Sequence, residues 1–381
     1  MSAAVDTAPV VKSESTPPKS RFVYNPNKAA HALERLGLGY FSPFARLIGR
    51  DEPQKQIRAI TINTVLPVVA ILIFVALWQV SSQVVVTDST KIPSPVETWQ
   101  AWEGMVEFAA AEREKEAEYY VKQEERVASF QEKAKEAAAA GESEKAERYS
   151  EMAVRFGDKP FIGSPTFFDQ IGISLITIAI GFVLASAIAI PFGILCGLSP
   201  GFNIAVNSLV QLFKPVSPLA WFPIVFVFTT WGIDQPSSTS IWQRALFTSA
   251  GVVTLCSLWP TLVNTAVGVA AVDKDHMNVA KVLKLGWIKR IWKIVLPSAL
   301  PLIFTGLRLS IGVGWMVLIA ADMMAQNQGL GKFVWDMYQN GDTQSTAQII
   351  VAVFFIGGIG FLLDRIMLVF QRMVTFEEQN V

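Results

Sequence analysis

The sequence predicts an all-α polytopic membrane protein: about six membrane-crossing helices, with a charged helical hairpin inserted after the first. Three observations predict it. Of 381 residues, 51% are apolar and only 17% charged, against about 25% charge in an ordinary soluble domain. The uncharged residues form tracts long enough to cross roughly 30 Å of hydrocarbon as helices. Much of the charge is gathered in one block rich in Ala, Glu, Lys and Arg, all good helix formers. Disordered chains, disulfide frameworks and ordinary water-soluble enzymes are excluded as first readings. The balance of 32 basic and 32 acidic residues gives no support to nucleic-acid binding, which shows as a basic excess.

Residues 1–58 are polar, with nine Lys/Arg and five Asp/Glu, and lack the form of a secretory signal. They read as a partly disordered N-terminal segment. A short amphipathic helix over 28–49, lying along a membrane surface, and a loosely packed tail are both open readings. No residue from 59 to 87 is charged, which places a first span at about 62–82, with Pro67 tolerable inside it.

Residues 101–160 hold 15 acidic and ten basic residues. Gly141 divides this stretch into a long helix (about 94–140) and a short one (about 143–156). The insertion, 94–160, reads either as a projecting hairpin that docks an external partner or as a solvated addition without a dedicated ligand.

The second uncharged tract, 170–213, breaks at a Gly/Ser/Pro/Gly turn. It predicts a second span at about 171–196 and a third at about 203–231. Pro215, Pro218 and Pro223 predict that the third is kinked or broken part-way. A fourth span at about 244–268, a fifth at about 299–321 and a sixth ending near 370 complete a core over 171–372. A tail, 373–381, follows.

Six spans put both ends on one side of the membrane. The N-terminal segment and the 270–297 loop, which holds six Lys/Arg against two Asp, are the basic segments. The short 232–243 and 322–346 loops have few basic residues. The positive-inside rule therefore puts both termini and the 270–297 loop in the cytoplasm, and 94–160 outside.

No catalytic or metal site is legible. His31 and His276 lack partners at metal-ligand spacing, and Cys196 and Cys256 read as packing residues within spans. No P-loop signature or Ser/His/Asp grouping is present, so no ATP binding of the P-loop kind is expected.

Residues 273–301 read DKDHMNVAKVLKLGWIKRIWKIVLPSALP. They predict a helix over 275–284, a turn at Leu285-Gly286 and a second basic helix ending at Leu296-Pro297. Val279, Ala280 and Val282 offer a compact apolar knob. An ordinary basic loop that only fixes topology is the plainer reading. On the fourth span, Thr254, Ser257, Thr261 and Asn264 recur at helical spacing on one face. They are a possible translocation path or contacts between helices. Arg308, an ionised residue well inside the fifth span, either meets an anion or snorkels to the surface. Asp322, at the outer end of that span, reads as ordering the outer loop.

The 273–301 stretch resembles the cytoplasmic E-A-A loop of binding-protein-dependent ABC importer permeases. Asn278, Val279 and Ala280 stand at the E-A-A positions, Lys284 at the usual Gly, and Leu296-Pro297 at the closing L-P. KIPSP at 91–95 resembles the family's L-P-S-P. PVSPLAWFP at 215–223 resembles R-P-I-P-P-L-A-W-I-P. TGLR at 305–308, followed by Gly314-Trp315 and Ala320-Ala-Asp322-Met, resembles G-L-R…A-W…A-A-E-M, and Gly329-Leu-Gly331 follows as in the family. The resemblance covers the first span and 161–372 and falls in the nitrate/sulfonate/taurine/bicarbonate subgroup, leaning toward nitrate or bicarbonate.

That resemblance implies the type I importer bundle, a second permease subunit (a homodimer), cytoplasmic ATPase subunits that bind ATP and Mg, and an extracytoplasmic solute-binding protein. It implies a multi-pass protein of the inner membrane with no cofactor and no catalysis of its own. Asn278, Val279, Ala280, Lys281, Lys284, Leu285 and Gly286 would couple to the ATPase. The solute expected is nitrate or nitrite, with bicarbonate or a sulfonate such as taurine as alternatives. A non-transporting scaffold or sensor is the alternative of another class.

Overall fold

The computed structural model describes residues 42–48, 53–85, 91–232, 238–273, 275–276, 278 and 282–375. The amphipathic helix expected over 28–49 is described only from Ser42 onward. Among the described residues the chain is helical and has no multi-residue strand. Two compact units, Met1–Ala70 and Ile71–Val381, divide inside a helix. The first contains α1 (Ser42–Ile48), α2 (Pro53–Ile60), and a π-helical turn, Thr61–Val65, that opens into α3 (Leu66–Val84).

In the second unit, α4 (Pro95–Ala139) and α5 (Ser143–Gly157) form the hairpin. Ser94 caps α4. Its side chain accepts from the Glu97 N–H, the Glu97 carboxylate accepts from the Ser94 N–H, and Pro95 occupies the first turn, where its missing donor costs nothing. Trp78 of α3 donates its indole N–H to Pro93 O (2.9 Å). Gly141, with φ +79°, supplies the left-handed residue that turns the chain into α5.

The core follows as α6 (Phe167–Leu198), α7 (Pro200–Phe213), α8 (Pro218–Gly232), α9 (Ser238–Ala270), α10 (Trp287–Arg290), α11 (Leu296–Ala325), α12 (Leu330–Asn340) and α13 (Thr343–Thr375). A second capping box, Thr166 with Asp169, starts α6. Among the described residues five lengths are long and apolar enough to cross a membrane: Thr61–Val84, Phe167–Leu198, Gln243–Ala270, Trp287–Ala325 and Thr343–Val374.

The third span, expected over about 203–231 and kinked or broken part-way, is two helices, and one expectation about the loop is corrected. The α7–α8 pair bends by 106°, because Pro215 and Pro218 each remove a backbone donor around Lys214–Ser217. Each piece, of 14 or 15 residues, is too short to cross alone. The second basic helix of the loop does not end at Leu296-Pro297. A π-helical turn, Ile291–Val295, carries it directly into α11, with the Leu296 N–H reaching back five residues to Ile291 O. The same device precedes Leu66-Pro67, where the Leu66 N–H reaches Thr61 O. A wider turn just before proline relieves the ring's clash with the preceding turn and lets the helix pass.

The centre of the bundle is α9. Of its most apolar 18-residue window 56% is buried, against none for α3. Gly181, Gly193 and Gly197 of α6 meet Val253, Thr265 and Val269 of α9 in parallel order. A Cβ on Gly193 would stand 2.6 Å from Thr265 Cβ, so only glycine permits that approach. Gly306 and Gly314 of α11 meet α9 at Thr261 and Ser257, running antiparallel. The fold thus has a hairpin end, holding α4, the start of α6 and α12, and an opposite loop end, where α9 runs out toward α10.

Candidate functional site

At the loop end, Asp275, His276, Asn278 and Val282 are helical. Val279, Ala280 and Lys281, the middle of the expected coupling segment, lie outside the described residues. Lys284 closes the segment with φ +48°, a conformation that suits glycine. The position that resembles the family's glycine therefore keeps the glycine's backbone while carrying lysine. Leu285 lies outside any helix, and Gly286 (φ −61°, ψ 158°) stands at the start of α10. Val282 and Leu283 are well exposed, as are Trp287, Ile288 and Trp292 beyond the turn.

The polar face of α9 is a closed seam. Thr254 Oγ1 donates to Ala250 O (2.7 Å) and to Gly181 O of α6 (3.2 Å), and Ser257 Oγ donates to Val253 O (2.6 Å). Pro260, inside α9, interrupts its ladder, and Ser310 of α11 is inserted at that point. Ser310 Oγ accepts from the Thr261 N–H (3.2 Å), shares a hydrogen bond with Thr261 Oγ1 (2.7 Å) and donates to Ser257 O. Asn264 Nδ2 donates to Pro260 O (2.8 Å). Thr254, Ser257 and Thr261 are buried. In this conformation these four residues serve backbone carbonyls and the contacts between neighbouring helices, the second of the two readings open for them.

Arg308 neither snorkels nor stands alone. Its Nε and one terminal nitrogen donate to the two carboxylate oxygens of Asp364 on α13 (2.7 and 2.9 Å), a fork-on-fork ion pair. Sequence reading missed Asp364. Its signal is legible in retrospect: it ends the uncharged run 343–363, at a depth where an unpaired carboxylate is costly.

Asp322 is fully buried and ties three elements together. It accepts from Ser174 Oγ of α6 (2.9 Å) and from Asn327 Nδ2 (2.8 Å). Asn327 also donates to Thr177 Oγ1 (3.2 Å), and Ser174 Oγ accepts from the Leu330 N–H at the start of α12 (2.9 Å). The carboxylate thereby fixes the turn between α11 and α12, whose Gln326 is left-handed (φ 53°). Cys196 is buried and Cys256 partly so, both free thiols packed among apolar side chains. Among the described residues no cluster suits a metal ion.

Comparison with known proteins agrees with this arrangement. Residues 189–376, which run from α6 to the end of α13, match the family described as "Binding-protein-dependent transport system inner membrane component". A nitrate import permease protein of Synechococcus elongatus is 37% identical over 226 residues, covering 57% of this chain and 76% of that protein. A bicarbonate transport system permease protein of the same organism is 40% identical over 220 residues (58% and 73%). A taurine transport system permease protein of Escherichia coli is 30% identical over 210 residues (55% and 70%). With that identity, that coverage and the spans described above, this chain belongs to the integral inner-membrane components of binding-protein-dependent transport systems.

Proposed function

We propose that the chain is the permease subunit of an ATP-driven importer for a small oxyanion, nitrate or nitrite first. The observation that carries the reading is the similarity to both a nitrate and a bicarbonate permease at 37% and 40% identity, over the helices that hold Arg308. Bicarbonate is the second reading, on the higher of the two identities. All three relatives are named for small solutes that are anionic or carry an anionic group.

In this reading two copies of the chain pair, cytoplasmic subunits bind ATP and Mg and hydrolyse the nucleotide, and an extracytoplasmic protein delivers the solute. The loop end faces the cytoplasm and the hairpin end faces outward, as the basic loop residues require. Asn278, Val279, Ala280, Lys281 and the turn Lys284-Leu285-Gly286 couple to the ATPase. Supporting this, Val282 and Leu283 present exposed apolar surface in a charged loop, as a helix laid into a partner's groove requires.

The test is uptake of labelled nitrate, bicarbonate and taurine by the reconstituted complex with its binding protein. ATP-dependent uptake of nitrate above the other two is expected. Uptake of bicarbonate alone would move the reading to its alternative, and uptake of none would sink it. Replacing Ala280 with Asp puts a charge into the coupling contact. It should release the ATPase subunits while leaving membrane insertion intact, and undiminished co-purification of the ATPase would remove that assignment.

A further inference from the structure

The α11–α13 seam carries three polar contacts in succession. Trp315 Nε1 donates to Ile356 O (2.9 Å), Arg308 forks onto Asp364, and Gln371 Nε2 donates to Thr305 Oγ1 (2.9 Å). The middle contact is unlike a structural ion pair buried between helices. The two side chains keep 35% and 38% of their surface exposed.

The next residue, Arg365, makes no ion pair among the described residues. Its guanidinium carbon stands 4.8 Å from the centre of the Phe361 ring, its Nε has no hydrogen-bond partner, and its charge acts on the Asp364 carboxylate. Two guanidiniums therefore stand on this stretch with one carboxylate, and of the two only Arg308 contacts it.

Exposed glycines stand between this cluster and the hairpin end, among exposed apolar side chains such as Met316 and Phe354. Gly312 is four residues after Arg308 on α11, and Gly357 and Gly358 are seven residues before Asp364 and Arg365 on α13, so each lies on or near the face of its charged counterpart. All three are exposed, and a Cβ at any of them meets open space. Arg308 stands 14 residues before Asp322, about 21 Å along the helix, well within the bilayer. Half-exposed charges at that depth require water or a partner helix beside them. Exposed glycines beside a half-exposed ion pair and an Arg365 unpaired among the described residues leave room for an anion at this seam.

We propose that Arg308, Asp364 and Arg365 form an exchange site on the translocation path, where the oxyanion takes the place of the Asp364 carboxylate on the Arg308 fork while Arg365 balances the added charge. This deepens the importer reading and rests on it. The substrate class follows from the fork. Nitrate, bicarbonate and sulfonate each present two oxygens on one central atom, as a carboxylate does, and so match a guanidinium in two parallel hydrogen bonds. The resident carboxylate also explains release: Asp364 competes for Arg308 and prevents the anion from being trapped, as conduction requires.

The test uses the whole complex with its binding protein and ATPase subunits, with labelled nitrate, bicarbonate and taurine as probes. The double variant Arg308→Gln/Asp364→Asn removes the pair without stranding a charge. It should assemble and keep ATPase activity, yet lose uptake on the order of tenfold or more. Arg365→Gln should do the same, with Arg365→Lys recovering part of the loss. Asp364→Asn should leave labelled anion held by the complex after washing. Should the double variant fail to assemble, Arg365→Gln, at a half-exposed position, decides alone. Wild-type uptake in Arg365→Gln would overturn the exchange site and leave the importer reading standing. Dissociation of paired permeases in that variant would overturn it in favour of a subunit contact. A wild-type complex that takes up none of the three probes takes both readings down.

Discussion

The hairpin, α4–α5, and the bundle of α6, α9 and α11 are both all-helical, and they are held together by opposite means. The hairpin joins along a seam of Tyr119, Gln123, Val127, Phe130, Ala134 and Ala137 against Ala146, Tyr149, Ala153 and Phe156, less exposed positions of each helix at three- and four-residue spacing. The Phe130 and Phe156 rings stack with centroids 5.4 Å apart. Gln123 ties down the end of α5 through Phe156 O and Lys159 O. Most outward positions are charged. In the bundle the contacts are glycine against side chain, hydroxyl against carbonyl, and an inserted serine at a proline. Where water is the solvent, burying apolar stripes drives association. Where lipid is the solvent, close approach and polar satisfaction must do it.

The largest effect that should break the comparison lies in the bundle. Gly193→Leu forces a branched side chain into Thr265 of α9 and should destabilise the core by about 3 kcal/mol or more. The check is thermal unfolding of the purified protein in detergent. A near-normal midpoint would show that α6 and α9 separate more easily than their spacing implies. Phe156→Ala should be the milder case, costing about 2 kcal/mol for a partly exposed ring and its stacking. Amide exchange should speed up in α5 and the facing half of α4 and stay unchanged in α9. Loss of protection in α9 would mean that hairpin and bundle unfold as one unit.

That contrast also explains what was legible. Hairpin limits could be read from composition and Gly141, because a helix in water announces its buried face by leaving the others charged. The spans could be counted from hydropathy. Their faces could not be read, because an apolar residue serves equally against lipid or against another helix. Thr254, Ser257 and Thr261 therefore read equally as a translocation path or as contacts between helices, and only the structure shows the hydrogen bonds they make. One signal was available: Gly193 and Gly197 stand four apart, the spacing of small residues at a helix contact. Asp364 was passed over because a charge at the end of an apolar run looks like a boundary, and its partner, Arg308, is 56 residues away.

The two regions also turn by different residues. Gly141 (φ +79°) closes the hairpin helix and Lys284 (φ +48°) the loop segment. Gly141→Ala should cost the hairpin about 1 kcal/mol. Lys284→Gly should gain about 0.5 kcal/mol, the relieved strain less the entropy that glycine loses on folding. Thermal unfolding and amide exchange around Gly286 measure it. A loss on Lys284→Gly would show that the lysine side chain holds a contact that outweighs its backbone strain.

The smallest effect is expected where the hairpin is rooted. Glu112 accepts from Lys115 Nζ (3.1 Å) and from the Ser164 N–H (2.9 Å) in the segment that leads to α6. The Lys115 ammonium first, and then the Ser164 N–H, hold its carboxyl below the usual glutamate range. A carboxyl lowered by folding contributes stability that is complete above its unfolded pKa and disappears as pH falls through its folded one. Protection of the Ser164 amide should therefore hold constant from neutral pH down to the ordinary carboxylate range and fall only below it. In Glu112→Gln the amide oxygen still accepts from Ser164 but no longer attracts Lys115 or titrates. The variant should begin with slightly lower protection and show no further acid-dependent loss once intrinsic exchange rates are divided out. An unchanged acid profile in Glu112→Gln would place the responsible carboxyl elsewhere. The root of the hairpin would then be held, like the bundle, by packing rather than by charge.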